Sequence, residues 1–187
     1  MEHLPVYNQY FNHLLTSYII YLELTGYSIT SCKRMHSCVK EFFFHMEQKG
    51  VFQLKEVTPS LIREHYRYLK ERSNLRRPGK ISLSHINYHL YAIKTFMAYQ
   101  EKNGVITSNP FSVLSFPKAV CPQRQVVSHS GIKALYGACE NHRDRVLISL
   151  FYGCGLRREE VVKLAVTDIR LDSLLLYVRS GKGRRRL

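Results

Sequence analysis

Four apolar stripes at helical spacing occupy the first hundred residues, and start and stop signals bound them. Phe11, Leu14, Leu15, Tyr18, Ile19 and Leu22 recur at intervals of three and four, and Gly26 ends the run. Ser28 or Thr30 caps a second helix with apolar positions Met35, Val39, Phe42, Phe43 and Met46, ending at Gly50. Thr58-Pro59 combines a hydroxyl N-cap with proline at the first helical position, and opens a third helix that runs to about Arg72. The polar, basic stretch 73–79 closes with Pro78-Gly79 and reads as a loop. Ser82 or Ser84 starts a fourth helix, with Ile86, Leu90, Ile93 and Met97 on one face and Gly104 as its stop. Stripes of this kind are satisfied by helices packed on a shared core.

Periodicity then breaks at Asn109-Pro110, Phe116-Pro117-Lys118 and the irregular run from Pro122 to Gln125. This predicts a helical domain over 1–107, a linker over 108–127 and a second domain over 128–187. In the second part Ser128 caps a short helix reaching about Cys139. Arg143 to Gly153 reads as a buried helix through Val146, Leu147, Ile148, Leu150 and Phe151. Glu159 to Leu164 makes another turn or two. Leu174 to Val178 is an apolar run of strand length, leading into a Gly181-Lys182-Gly183 hairpin tip.

The chain carries 28 Lys and Arg against 14 Asp and Glu, a formal net charge of +14. Residues 1–125 hold 16 of the 28 basic side chains, so the excess is spread and not confined to a tail. Spread positive charge on a folded chain suits an extended polyanion, and DNA or RNA is the usual one. The five cysteines, Cys32, Cys38, Cys121, Cys139 and Cys154, include no Cys-x-x-Cys pair, and their number is odd. Neither a zinc site nor a disulfide framework follows, and no metal or cofactor is expected. No apolar stretch reaches the roughly 18–20 residues that span a bilayer, and the N-terminus lacks a basic leader region. The cysteines suit thiols in a reducing cytosol, and no membrane partner is expected.

The pattern Gly153-x-Gly155-Leu156-Arg157-x-x-Glu160, followed by Leu164, Asp168 and the glycine-lysine-glycine hairpin, resembles the tyrosine recombinase (phage integrase) family. The upstream Ser82 to Asn87 segment and the Asn109-Pro110 pair are similar to that family as well, so the resemblance runs from about Tyr7 to Arg186. It implies a mainly α fold: a four-helix, SAM-like core-binding domain, then the start of an α+β DNA breaking-rejoining catalytic domain. It also implies site-specific recombination through a 3′-phosphotyrosyl intermediate, without metal or nucleotide. Double-stranded DNA and further protomers, of this chain or of full-length recombinase, are the implied partners.

The resemblance assigns Arg157 as the first catalytic arginine, Glu160 as its support and Lys182 as the hairpin lysine. The assignment is chemically sound. A guanidinium binds two oxygens of a phosphate gaining charge in its transition state, and an amine can protonate the 5′-oxygen leaving group. Arg157 alone also suits a helix C-terminus, and Lys182 alone suits an ordinary turn. Arg184 and Arg185 are candidate phosphate contacts. In the helical half, a groove-entering helix needs a polar, basic stripe opposite its apolar one. The second helix offers Lys33, Arg34, Ser37 and Lys40, and the fourth offers Ser84, Asn87, Tyr88, Tyr91 and Lys94. Arg76, Arg77 and Lys80 are placed to grip the backbone from the loop between the third and fourth helices. The tyrosines, including Tyr7, Tyr10 and Tyr18, read mostly as core.

The family's second arginine motif, its following His or Trp and its nucleophilic tyrosine lie downstream of the hairpin in its members, beyond Leu187. Tyr152 and Tyr177 have the wrong context to replace the nucleophile. These 187 residues are therefore expected not to cleave DNA alone. They represent either part of a recombinase or a non-catalytic DNA-binding regulator or competitor of one. A basic helical RNA- or partner-binding domain is the third reading.

Overall fold

The computed structural model describes residues 4–74, 77–119 and 125–178. It divides into two compact units, Met1–Cys121 and Pro122–Leu187, and is mainly α.

The first unit contains α1 (Gln9–Leu24), α2 (Ile29–Gln48), α3 (Pro59–Glu71) and α4 (Leu83–Lys102), with a short 3₁₀ turn at Leu54–Glu56. Ser28, not Thr30, caps α2 by accepting from the Ser31 amide, and Ser82, not Ser84, caps α4 through the His85 amide. Thr58 caps α3 with Pro59 behind it. The cap of α1 is Asn8, whose side chain accepts from the Tyr10 and Phe11 amides. Between α1 and α2 the chain reverses at Gly26, whose φ of 81° is open to glycine but strained for other residues.

Aromatic rings fill the shared core. Phe11 stacks on Phe43 with ring centroids 4.2 Å apart, and Tyr18 and Phe43 each meet Phe96 edge-on. Phe11, Tyr18, Phe42, Phe43 and Phe96 are fully buried, each contributing about 1.5–3 kcal/mol relative to an exposed position. The Tyr18 hydroxyl donates to the Ala92 carbonyl at 3.2 Å, so burial leaves its polar end satisfied. Tyr7 and Tyr10 differ from their expected core placement and are exposed. They precede or begin the first turn of α1, where Phe11 takes the inward position.

The core extends past α4. Ile106 and Phe111 are buried within it, and Leu114 and Phe116 pack against it. Asn109 fastens this segment: its amide donates to the Glu101 carboxylate, and its side chain accepts from the Phe111 amide. The early part of the stretch read as linker is thus held on the helical unit by apolar burial.

The second unit contains α5 (His129–Gly137), capped by Ser128, then α6 (His142–Ile148) and α7 (Arg158–Val162). Arg143 to Gly153 is not the single buried helix its apolar content suggested. The α-helix stops at Ile148 and widens into a π-turn over Ser149–Gly153, with Val146 and Phe151 exposed. Among the described residues of this unit, Leu156 and Val178 are the buried apolar side chains, so the stretch has little apolar surface to pack on. Within the Leu174–Val178 run, the two-residue strand β2 (Leu175–Leu176) runs antiparallel to an upstream β1 (Ile169–Arg170), with Ile169 opposite Leu176 and Arg170 opposite Leu175. The expected Gly181-Lys182-Gly183 hairpin tip lies outside the described residues. Leu174 lies in the connecting turn at φ 54°.

Candidate nucleic-acid interface and phosphate site

Helices α2 and α4 pack side by side, and their solvent-facing stripes meet. Lys33 and Arg34 on α2 and Ser84, Tyr91 and Lys94 on α4 are exposed; Ser37, Lys40, Asn87 and Tyr88 are half-buried. The junction is a cation–π contact, with the Arg34 guanidinium carbon 4.4 Å from the Tyr88 ring centre. Beside it the Tyr27 and Tyr91 hydroxyls lie 3.2 Å apart. Two helices thereby present one continuous polar and cationic surface, opposite the apolar faces that hold the core. Arg77 and Lys80 are exposed on the loop before α4. Arg76 lies outside the described residues, as do Lys182, Arg184 and Arg185.

Beneath this surface lies a polar cluster that the helical pattern did not reveal. Glu41 of α2 is buried, and so are His45, His65 and His89 from α2, α3 and α4. Arg72, at the end of α3, donates from Nη2 to Glu41 Oε2 at 3.1 Å. Its Nε faces Oε1 in ionic contact but without hydrogen-bond alignment. The Tyr68 hydroxyl also donates to Glu41. Burial raises the Glu41 carboxyl above its usual range, against the opposing pull of Arg72. Burial lowers His45 and His65 and pushes His89 down to about 3. Among the described residues, neither ring nitrogen of His65 or of His89 has a hydrogen-bond partner. The available sequence signal was position: Glu41 falls on the face of α2 that also carries Cys38, Phe42 and His45.

In the second unit, the turn after the π-turn sets the arginine. Gly155 takes φ 62°, and the Leu156 amide donates back to the Leu150 carbonyl at 3.1 Å. Leu156 is buried, and Arg157 follows as the N-cap residue of α7. Glu160, one turn on, is buried and reaches back to it. One carboxylate oxygen accepts from the Arg157 amide at 2.8 Å and the other from its guanidinium at 3.1 Å. The Arg157 side chain stays 53% exposed, so its charge is oriented from within and open to an anion outside. The neighbouring Arg158 pairs with Glu159 on the surface. Asp168 is buried, accepts from the Ala165 amide, and offers its carbonyl to the Tyr177 amide, tying the segment after α7 to the β-hairpin. Among the described residues no His, Cys, Asp and Glu group is arranged to hold a metal ion, and no helix is long and apolar enough to cross a membrane.

The second unit is also where the family description fits. Residues 125–187 match the model of the phage integrase family. Tyrosine recombinase XerC 2 of Ralstonia nicotianae is 29% identical over 172 residues, covering 87% of this chain and 48% of that protein. The chain is thus similar to the tyrosine recombinases, most directly over residues 125–187. Tyrosine recombinase XerA of Pyrococcus horikoshii is 25% identical over 172 residues, covering 91% of this chain and 53% of its own length. The crystal structure of XerA recombinase superposes with a TM-score of 0.42 at 22% identity, over 93% of this chain and 57% of that one. The chain thus spans about half the length of the tyrosine recombinases that it matches.

Proposed function

We propose that these 187 residues bind duplex DNA at a recombination site and supply part of a strand-exchange active site. The observation that carries this reading is the joined α2–α4 surface, on a chain of net charge +14, followed by an arginine held from behind by a buried carboxylate. Lys33, Arg34, Lys40 and Lys94 meet phosphates or guanine, and Asn87 pairs with adenine. Ser37, Ser84, Tyr88 and Tyr91 complete the groove face. Arg76, Arg77, Lys80, Arg184 and Arg185 grip the backbone.

In the complete reaction a tyrosine oxygen attacks the scissile phosphorus, and the bond to the 5′-oxygen breaks. Arg157 stabilises the charge on the non-bridging oxygens, and Lys182 gives a proton to the departing oxygen. Glu160 keeps Arg157 aimed. Within these residues neither Tyr152 nor Tyr177 has the context of the nucleophile, so a polypeptide of this sequence binds without cutting. Protomers of the same chain or of complete recombinases are its partners on DNA.

The test is a gel-shift titration of the chain with a duplex carrying a candidate recombination site, a random duplex and an RNA of equal length, at several salt concentrations. The site duplex should bind tightest, with affinity falling steeply as salt rises. Equal affinity for all three probes would sink the reading. A covalent adduct on a denaturing gel would overturn the expectation of binding without cleavage.

A further inference from the structure

The Arg72 guanidinium serves two elements at once. Its Nη2 donates to the buried Glu41 carboxylate of α2, and its Nη1 donates to the Ser73 carbonyl at 3.1 Å. Ser73 starts the loop to α4 and forms an antiparallel bridge with Lys80. The next rung is the Asn74 amide donating to the Gly79 carbonyl at 2.8 Å. One cation therefore connects a carboxylate in the helical core to the base of a narrow loop, and Arg77 and Lys80 stand exposed on that loop.

Stability is a weak explanation for such a pair. Desolvating two charges offsets most of their attraction, and an apolar pair of similar size usually does as well. A buried pair does, however, fix geometry, because each charge is costly in any arrangement that separates them. Among the described residues around Glu41, the histidines carry no competing charge at neutral pH, since burial holds His65 and His89 in the neutral form. The carboxylate is left to Arg72 and the Tyr68 hydroxyl.

We propose that Glu41 and Arg72 are positioning residues for the α3–α4 loop, holding Arg77 and Lys80 where they meet the phosphate backbone. This rests on the DNA-binding reading above. The pair touches no DNA itself and acts through the Ser73–Lys80 bridge.

The test replaces both charges together, Glu41→Leu with Arg72→Met, so that neither is left buried alone. Two readouts are taken on the 187-residue chain. The first is amide hydrogen exchange at Asn74, without DNA. The second is the salt dependence of binding to a mixed-sequence duplex, compared with Arg77→Ala/Lys80→Ala. The double replacement should keep the unfolding midpoint, speed Asn74 exchange about tenfold or more, and lower the salt slope by about two. Combining it with Arg77→Ala/Lys80→Ala should give no further loss. Unchanged Asn74 exchange, or salt effects that add, would overturn the proposal. If the unaltered chain binds no duplex, the DNA reading fails and the exchange result alone decides the anchor. If the double replacement does not fold, Arg72→Lys takes its place, since an ammonium cannot span both Glu41 and Ser73; the same two readouts decide.

Discussion

The Glu160 carboxylate holds Arg157 at two points, backbone amide and guanidinium, while remaining buried itself. A cap and an orienting ion pair are thus one interaction. The arginine cannot rotate away from α7 without giving up a charge-assisted hydrogen bond.

Glu160→Ala should remove both functions. Loss of the cap contact should cost about 1 kcal/mol locally and speed exchange of the Arg157 amide. Duplex affinity should stay near that of the unaltered chain, since Glu160 faces inward. A large loss of affinity with unchanged Arg157 exchange would contradict this geometry.

Arg157→Ala should also leave duplex binding almost unchanged, since one phosphate contact among many is lost. Asn87→Ala with Lys94→Ala should weaken binding to the specific site by about 1–3 kcal/mol, with a smaller effect on random DNA. Competition titrations check this, and equal losses on both duplexes would remove the groove-reading role of α4.

The buried histidines set an acid limit on the first unit. His65 and His89 are lowered in the folded state, so the unfolded chain takes up protons first as pH falls below about 6.5. Stability should therefore decline on acidification, by up to about 1.4 kcal/mol per pH unit for each group, until the folded pKa is reached. For His89 the decline runs to about 3. The facing groups are Arg34, Glu41 and His45 from α2, Tyr68 from α3 with Arg72 just after it, and His85 from α4. Raised Glu41 acts in the opposite direction: the folded state takes its proton first, which adds stability as pH falls from its raised value toward the usual carboxylate range. The histidines outnumber it. Urea unfolding at pH 7.5 and pH 5 should show lower stability at pH 5, and His89→Leu should flatten the difference. A profile unchanged by that replacement would remove His89 from the account.

Tyr18→Phe keeps the ring packing against Phe96 and removes the donor to the Ala92 carbonyl. It should cost about 0.5–1.5 kcal/mol. Phe96→Ala should cost about 3–5 kcal/mol, because a cavity opens among Tyr18 and Phe43. Thermal unfolding of the two variants should rank them in that order.

Local rules made much of this molecule legible. Apolar spacing located the four helices, and Thr58-Pro59 marked the start of α3 directly. The reading stayed open, or failed, where local chemistry did not decide. Ser28 and Thr30 are both good caps, and only the path of the chain selects Ser28. Val146 and Phe151 are apolar in a helical register, yet burial needs partners, and the described part of their unit provides few.

The family motif was legible for the same reason as the helices. Gly155, Leu156, Arg157 and Glu160 act within a single turn, so their spacing in the chain is their spacing in space. Glu41, Arg72, His65 and His89 come from three different helices, and no local pattern links them. The amino-acid sequence by itself determined the helices, the basic character and the Gly155-to-Glu160 motif. Tertiary structure alone decided that Arg34 would meet Tyr88, that Ile169 would pair with Leu176, and that a lone acidic residue on an apolar face would find its arginine thirty-one residues away. Those contacts depend on which faces bury together, and burial is a property of the whole packed unit.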